Sequence, residues 1–467
     1  MRRFFIPAVL LIGLILFAGA CTRSNQAATA IPASEAAAVE ELPTDTGPVE
    51  AASSAAPTTA VAAEATPAEG IGGGGDSLVI TQQSMFVDQF NRWQIVGEVR
   101  NDTPTPLTSV ELLVEIQGPA NTTLFTDVTS LLVPNIAPGG VAPFIYTIND
   151  PTITPESAIV TVTSTAAADI TPVTLDIANA HFSQNEFNEF HCTGEIVNNS
   201  GVPVDVDGLA AAVLDSSGAL VSADWFWAVA QHLEPGESSP FRASPIGPAG
   251  EAAQCRVYVD ARQADSVPGY AVQVLGSSYY RDIFDTGHLV GEVRNDSAET
   301  LVIQLVAGMY DAEGRVIDAD TTSIPISVAP GETAAYDFST LSATNYSQET
   351  ATAFVSATVI VDSFWTYPAF TEQTVLVVDN FAASLDEGSI LVTGDVVNNQ
   401  TFMADFIVVA LRFRDPAGAI VAQGNASVFE PIPPGASAPF DIRVYLPPDV
   451  DPTTLSPEIV AKTDLPE

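Results

Sequence analysis

One hexapeptide, GEVRND, occurs at residues 97–102 and again, unchanged, at 291–296. Near copies, GEIVNN and GDVVNN, occupy 194–199 and 394–399. The glycines that open these hexads are therefore 97, 97 and 103 residues apart. A unit of about 100 residues can bury its own apolar core, unlike the units of roughly 20–50 residues found in solenoids. The period predicts four tandem copies of one domain, arranged like beads on a string.

A Pro-Gly pair follows each hexad at a nearly constant distance. It lies in IAPGG, LEPGE, VAPGE and IPPGA, and its glycine comes 42, 42, 40 and 41 residues after the hexad glycine. Because Pro fixes a negative φ and Gly tolerates a positive one, the pair predicts the centre of a type II turn. The dipeptide PF follows in three copies, and DF replaces it in the third.

A third marker lies between the first two. VLDSSGALV, MYDAEGRVI and FRDPAGAIV, at 213–221, 309–317 and 413–421, share an Asp and a Gly three residues later. The first copy has IQGPANTTL at 116–124 and lacks this Asp.

The apolar residues alternate instead of following a helical period. In QIVGEVRND, Ile95, Gly97 and Val99 share one face of an extended chain and the residues between them share the other. This pattern predicts a half-buried strand whose inward glycine leaves room for a bulge or a bulky neighbour. We expect the Asn four residues after that glycine to end the strand in the left-handed conformation. Several such strands per 100 residues predict a β-sandwich.

The order GEVRND, YDAEGRVI, VAPGETAAYDF resembles the FxLYD-type, immunoglobulin-like extracellular domain of prokaryotic surface lipoproteins. The similarity covers 78–165, 173–263, 270–362 and 373–465; the third copy matches best and the first worst. The resemblance implies a small extracellular β-sandwich without known catalytic residues.

We therefore expect an all-β chain of four tandem immunoglobulin-like β-sandwich domains after a signal peptide and a disordered linker. The expected boundaries are a signal peptide at 1–20, a tether at 21–77, and β-sandwich repeats at 78–168, 169–266, 267–368 and 369–467.

The N-terminus has the layout of an export signal. A basic head precedes an apolar run from Phe4 to about Ala18, and small residues lead to Cys21. LFAGAC resembles a bacterial lipobox, although Ala18 stands where a lipobox usually has Leu. We expect Cys21 to be lipidated and to anchor the protein to a membrane on the extracytoplasmic side. An uncleaved anchor and plain secretion are the alternatives, since the run is a little short of the ~20 residues that span a bilayer.

The tether is rich in Ala, Thr, Pro and Glu and has almost no large apolar residue, so it cannot offset the entropy of ordering. A flexible chain of this length spans on the order of 40 Å root-mean-square. We expect it to lift the folded part away from the membrane.

The chain carries 15 basic and 57 acidic residues, a formal net charge of −42. Such a charge repels phosphate backbones, so no nucleic-acid partner is expected. No G-x-S-x-G motif is present, and the four histidines lack metal-ligand spacing. We therefore expect no catalytic residue, metal or cofactor, and a protein that is not an enzyme.

Two cysteines besides Cys21 fall in the second repeat. Cys192 takes the inward position that Ile95 holds in the first copy, and Cys255 shares a strand face with two valines. In an exported protein this arrangement predicts a disulfide between the two sheets, which contributes about 4 kcal/mol across a loop of this length. Two reduced core cysteines are the alternative.

DWFWAV, at 224–229, is a candidate ligand-binding stretch. Strand alternation puts Trp225 and Trp227 on one face, where exposed indoles stack on sugars or anchor a protein partner. Packing of both rings in the core is the alternative.

We therefore expect a non-catalytic, lipid-anchored cell-surface protein that acts as a spacer or interaction module, in adhesion or as an envelope scaffold. The alternative is a surface lipoprotein that captures a saccharide or peptide for a transporter or an enzyme, through Trp225 and Trp227.

Overall fold

The computed structural model describes residues 31–32, 78–184, 190–226, 230–247, 252–265, 271–339, 354–365, 373–386 and 388–466. Within these residues the chain forms strands and two short 3-10 helices, Pro119–Asn121 and Pro452–Thr454, and no α-helix. The protein is all-β, as the sequence predicts.

The strands follow one order in the four repeats, and β1 (Ile31–Pro32) comes before them. Repeat 1 contains β2 (Leu78–Val87), β3 (Trp93–Asn101), β4 (Leu107–Gly118), β5 (Thr122–Ser130), β6 (Asn135–Ile136), β7 (Val141–Ile148) and β8 (Ser157–Ala167). Repeat 2 contains β9 (Asp176–Gln184), β10 (Phe190–Val197), β11 (Val204–Asp215), β12 (Leu220–Trp225), β13 (His232–Leu233), β14 (Ser238–Ala243) and β15 (Ala252–Gln263).

Repeat 3 contains β16 (Val272–Arg281), β17 (Gly287–Asn295), β18 (Val302–Tyr310), β19 (Val316–Ser323), β20 (Thr333–Phe338) and β21 (Ser356–Trp365). Repeat 4 contains β22 (Gln373–Asp386), β23 (Ser389–Val397), β24 (Ile407–Arg414), β25 (Ile420–Val428), β26 (Ser437–Tyr445) and β27 (Ser456–Asp464). In these repeats an isolated bridge, Leu301 to Val328 or Ala404 to Ile432, replaces the short fifth strand.

Each repeat is a sandwich of two antiparallel sheets. In repeat 1 one sheet has the order β2-β3-β7, and in the other β4 pairs with β5, β6 and β8. The corresponding strands pair in the same way in repeats 2, 3 and 4. In repeat 4, β22 also pairs with β27, which joins its strands into one six-stranded sheet, and β1 pairs with β21 of repeat 3. The immunoglobulin-like architecture follows from this pairing.

The hexad glycine makes room for an aromatic ring. Gly97 lies opposite Phe144 on β7, and a Cβ at Gly97 would strike the Phe144 ring and lie 2.6 Å from the carbonyl oxygen of Gln82. The expectation of a bulky neighbour is therefore confirmed; the neighbour is the Phe of the PF marker in repeats 1, 2 and 4, and in repeat 3 it is Tyr336, which precedes the DF dipeptide. The same pairing recurs in the other repeats, as Gly194–Phe241, Gly291–Tyr336 and Gly394–Phe440.

The expectation for the hexad Asn is wrong. Asn101 does not adopt a positive φ; its side chain is fully buried and donates hydrogen bonds to the carbonyls of Thr105 and Ile136, at 2.9 and 3.0 Å. Its Oδ1 accepts from the backbone N–H of Thr103. The amide therefore ties the end of β3 to the end of β6. Its counterparts Asn198, Asn295 and Asn398 make the equivalent bonds.

The expectation for the Pro-Gly pair is confirmed. Its glycine has a positive φ in each repeat, 72° at Gly139 and 75–86° in the others. The N–H of Gly140 donates to the carbonyl of Ala137 across the turn, at 2.9 Å. A side chain at the positive-φ position would be strained.

The hexad strand is not half-buried. Val96 is 0 % exposed and Glu98 only 5 % exposed, although both face away from the core of repeat 1. Residues of repeat 2, Ala210, Ala212 and Leu220 among them, belong to the same apolar cluster as Val96. The second face of the strand is covered by the next repeat, so the repeats are stacked against each other and are not separate beads.

Candidate functional site

The contacts between consecutive repeats combine buried or half-buried carboxylates with arginines or tyrosines at each of the three junctions. We call the outer side of the β2-β3-β7 sheet, and of its counterparts, the forward face of a repeat. The outer side of the β4-β5-β8 sheet and its counterparts is the rear face. At each junction the forward face of one repeat packs on the rear face of the next.

At the first junction the acid of the hexad is buried against repeat 2. Glu98 Oε1 accepts a hydrogen bond from Arg256 Nη1 at 2.5 Å and another from the hydroxyl of Tyr258, both on β15. Burial raises the pKa of Tyr258 far above its usual value, and the hydrogen bond to Glu98 adds to this, so the phenol stays protonated and donates. Glu98 therefore has both a charged and a neutral donor from the next repeat.

At the second junction a tyrosine of the next repeat binds the hexad acid. The hydroxyl of Tyr310 on β18 donates to Glu195 Oε1 at 2.9 Å. Two residues earlier in the strand, Gly308 lies against Pro240 of repeat 2, and a Cβ there would come within 2.7 Å of the proline ring. A side chain at position 308 would push the two repeats apart.

At the third junction two arginines bind the hexad acid. Arg412 Nη1 lies 2.5 Å from Glu292 Oε1, and Arg414 Nη1 lies 2.9 Å from Oε2. Glu458 of repeat 4 binds the Nε atoms of the same arginines, at 2.5 and 2.9 Å. One carboxylate from each repeat therefore shares a pair of guanidinium groups.

A second contact links a side-chain hydroxyl of one repeat to a backbone carbonyl of the next. The carbonyl always belongs to the first residue of the strand that follows the D-x-x-G marker. The donor and acceptor pairs are Ser84 with Leu220, Thr193 with Val316, and Ser278 with Ile420.

A third contact joins the last strand of one repeat to the segment before the Pro-Gly turn of the preceding repeat. Asp260 accepts from the backbone N–H of Asn135 at 2.7 Å, and Asp362 accepts from that of Gln231 at 2.5 Å.

At the third junction Lys462, the only lysine in the sequence, makes this contact. Its Nζ donates to the carbonyl of Ser327 at 2.8 Å and to Glu332 at 2.7 Å, and the residue is only 4 % exposed. The same three kinds of contact therefore recur at the three junctions with different side chains.

Burial raises the pKa values of the two junction aspartates. The pKa of Asp260 rises to about 6 because burial disfavours its charge, although hydrogen bonds from Asn135 oppose the shift. The pKa of Asp362 also rises to about 6 through burial, against the single hydrogen bond from Gln231. Its second oxygen, Oδ2, is buried and has no hydrogen-bond partner in the structure. Ionisation of both groups therefore weakens the junctions.

The two cysteines of repeat 2 are bonded through their sulfurs. Cys192 on β10 is fully buried, and Cys255 lies on β15 of the facing sheet, with their Cα atoms 6.0 Å apart. The disulfide joins the two sheets, and the sequence predicts this arrangement.

The predicted aromatic site is described only in part. Trp225, at the end of β12, is 45 % exposed, so its indole is not a core side chain. Trp227 lies outside the described residues, as does the predicted lipidation site Cys21. No group of three or more His, Cys, Asp or Glu side chains in the described ranges is placed to hold a metal ion. No helix of the described chain is long and apolar enough to cross a membrane.

Sequence reasoning identified the hexad but took its acid for part of a solvent-facing strand side. The available signal was a carboxylate at the second hexad position of each copy. Two of its partners, Tyr310 and Arg414, share the position directly before the Asp of the third marker. At the first junction, in contrast, Arg256 and Tyr258 bind the acid from the last strand of repeat 2, and no motif marks them.

We predict that Glu292→Gln weakens the third junction by about 1–3 kcal/mol, because it leaves two partly buried arginines with one carboxylate instead of two. In calorimetry of the full chain, repeat 4 should then unfold in a separate transition at lower temperature. The matched control is Glu458→Gln, which removes the more exposed carboxylate from the same arginines and leaves their contact with Glu292 across the junction in place. Equal effects of the two substitutions would contradict this assignment.

We predict that Asp362→Asn stabilises the chain at pH 7. The folded pKa of about 6 lies above the usual 3.8, so the contribution of Asp362 to stability falls as the pH rises from about 4 to about 6. A neutral amide removes this loss, which amounts to about 3 kcal/mol. Melting temperatures measured from pH 4 to 7 should fall less steeply for the variant, while the exposed control Asp441→Asn should follow the unmodified chain. A lower melting temperature of Asp362→Asn at pH 7 would show that the charge is favourable.

No protein-family model matches this sequence, and no curated protein does. Among solved structures, the chain is similar to the native conformation of Escherichia coli alpha-2-macroglobulin, with 9% sequence identity and a TM-score of 0.14. The similarity covers 82% of this chain and 28% of that one, so this chain spans less than a third of the length of its neighbour.

Proposed function

We propose that this chain is a non-catalytic, lipid-anchored cell-surface protein that acts as a stiff spacer and interaction module. The observation that carries the proposal is the recurrence of one set of contacts at the three junctions. Tandem domains that are joined only by flexible linkers need no recurring contacts between them. Here each junction buries apolar surface and places a carboxylate on donors of the next repeat.

The stacking supports a spacer because it sets a length. Each repeat contributes two layers, and sheets pack about 10 Å apart, so four stacked repeats give a column roughly 80 Å tall. Bending the column at a junction would separate charged groups from their partners and leave them partly buried, which is costly. The column therefore resists bending more than a string of independent domains would.

The location rests on the sequence. The layout of an export signal and the lipobox-like LFAGAC support a mature chain that begins at Cys21, with the tether between it and repeat 1. A disulfide between Cys192 and Cys255 suits an oxidising compartment. The FxLYD-type resemblance implies the same location. We therefore propose an extracytoplasmic protein held at the surface by a lipid on Cys21, as an adhesin or envelope scaffold.

The test measures membrane attachment and the rigidity of the four-repeat column. In a bacterial host the full chain should pellet with the membranes, and Cys21→Ser should release it. With spin labels on cysteines introduced at two exposed sites, Thr126 and Asp449, pulsed electron resonance should give one narrow distance distribution of roughly 60–80 Å.

The distance should be the same in the anchored and the released chain, and Glu292→Gln should broaden it. A broad distribution in the unmodified chain would refute the spacer. Membrane attachment that survives Cys21→Ser would refute the lipid anchor but leave the spacer standing.

The exposed indole of Trp225 favours a second candidate function, capture of a saccharide or peptide for a transporter or an enzyme. In this case a ligand from a glycan array should raise the melting temperature of the full chain through linkage, and Trp225→Ala should abolish the shift. If no glycan shifts the melting temperature of the unmodified chain, or if Trp225→Ala keeps the shift, saccharide capture through Trp225 is refuted.

A further inference from the structure

The forward face of repeat 4 retains part of the forward face of repeat 2, although Asp441 stands where repeat 2 has Arg242, which binds Asp318 of repeat 3. Four residues are retained at equivalent places in the paired strands, and the asparagine of each repeat follows the residue that lies opposite the hexad acid. The pairs are Asn179 and Asn380, Thr193 and Thr393, Glu195 and Asp395, and Pro240 and Pro439.

The geometry of the acid is retained as well. Asn179 Nδ2 donates to Glu195 Oε2 at 2.7 Å, and Asn380 Nδ2 donates to Asp395 Oδ2 at 2.8 Å. Both asparagines have a positive φ, 52° and 50° respectively, which non-glycine residues rarely adopt. In each repeat the strained backbone aims an amide at the hexad acid and holds it in place.

The two forward faces differ in solvent exposure. In repeat 2, Thr193 is 1 % exposed and Pro240 is buried, because repeat 3 lies on them. In repeat 4, Thr393 and Pro439 are exposed. Repeat 4 therefore presents the half of a junction that elsewhere in this chain binds a second sandwich.

We propose that the forward face of repeat 4, formed by β22, β23 and β26, binds a β-sandwich of a partner chain. The partner's strand would carry an Arg or Tyr side chain for Asp395 and a small residue two positions before it for Pro439. The three covered forward faces support this chemistry, since each binds a sheet that brings an arginine or a tyrosine to the hexad acid. At the second junction the small residue is Gly308 and the donor is Tyr310.

A second copy of this chain does not have the required chemistry. Counted from the third marker, Glu115 and Gln117 of repeat 1 occupy the positions of Gly308 and Tyr310. Glu115 would approach Pro439 with a bulky side chain and Asp395 with a like charge, and like charges in an interface are costly. Hydrogen bonds from Gln117 and Thr123 further hold the Glu115 carboxylate in its charged form, because they lower its pKa.

Because the rear face of repeat 1 lacks the residues that repeat 3 has, introducing them should let one copy of the chain bind repeat 4 of another copy. The substitutions Glu115→Gly and Gln117→Tyr give the rear face of repeat 1 the residues that repeat 3 has. The doubly substituted chain should self-associate head to tail with a Kd of about 1–100 µM, typical of a small interface, in sedimentation velocity. The unmodified chain should show no association that depends on Asp395.

Adding Asp395→Lys or Thr393→Arg to the doubly substituted chain should weaken this association at least about tenfold. The matched control is Glu430→Lys, which reverses an exposed charge of repeat 4 in the loop after β25. Circular dichroism and the melting temperature report whether each variant is folded.

If the variant with Glu115→Gly and Gln117→Tyr does not fold, a variant with Glu115→Arg and Gln117→Arg replaces it. These substitutions give repeat 1 the two arginines that repeat 4 has at the same positions. Failure of every folded variant to associate would overturn the proposal, and so would association that Asp395→Lys leaves unchanged. Head-to-tail association of the unmodified chain would show that the partner is a second copy. The inference names a partner for the interaction role proposed above, but its test in solution stands whether or not Cys21 anchors the chain.

Discussion

The structure depends on a carboxylate that is placed between two sheets instead of in water. The hexad acid lies on the forward face of each repeat, and in the first three repeats a base or phenol of the next repeat binds it. A carboxylate removed from water is costly unless charged or hydrogen-bonded groups replace the water. Each junction is therefore selective, because only a rear face with a suitable donor can cover the acid.

The donors differ from junction to junction, while the geometry of the contact is kept. A hydroxyl bonds to the carbonyl after the D-x-x-G marker, and the last strand reaches the segment before the Pro-Gly turn. Each forward face therefore meets a different set of donors on the rear face that covers it. Burial raises the pKa values of Asp260 and Asp362, so burying their charge at neutral pH costs stability that the hydrogen bonds from Asn135 and Gln231 offset only in part.

Sequence reasoning predicted the features that depend on neighbouring residues and missed those that depend on contacts between residues far apart in the chain. The positive φ of the Pro-Gly turn and the room beside Gly97 could be predicted, because both depend on a residue's own backbone or on strand alternation. The side chain of Asn101 was assigned wrongly, since its partner Ile136 is 35 residues away and nothing local reveals it. The burial of Glu98 was missed because its partners belong to the next repeat.

By itself the sequence determined that the chain is all-β and built from repeated sandwiches, because alternation and turn chemistry act over a few residues and are copied in every repeat. It also determined which cysteines could meet inside repeat 2. Only the tertiary structure decided that the repeats stack, which acid binds which donor, and that Thr393 and Pro439 stay exposed while Thr193 and Pro240 are covered. These outcomes depend on surfaces that lie about 100 residues apart in the chain, where no local pattern connects a side chain with its partner.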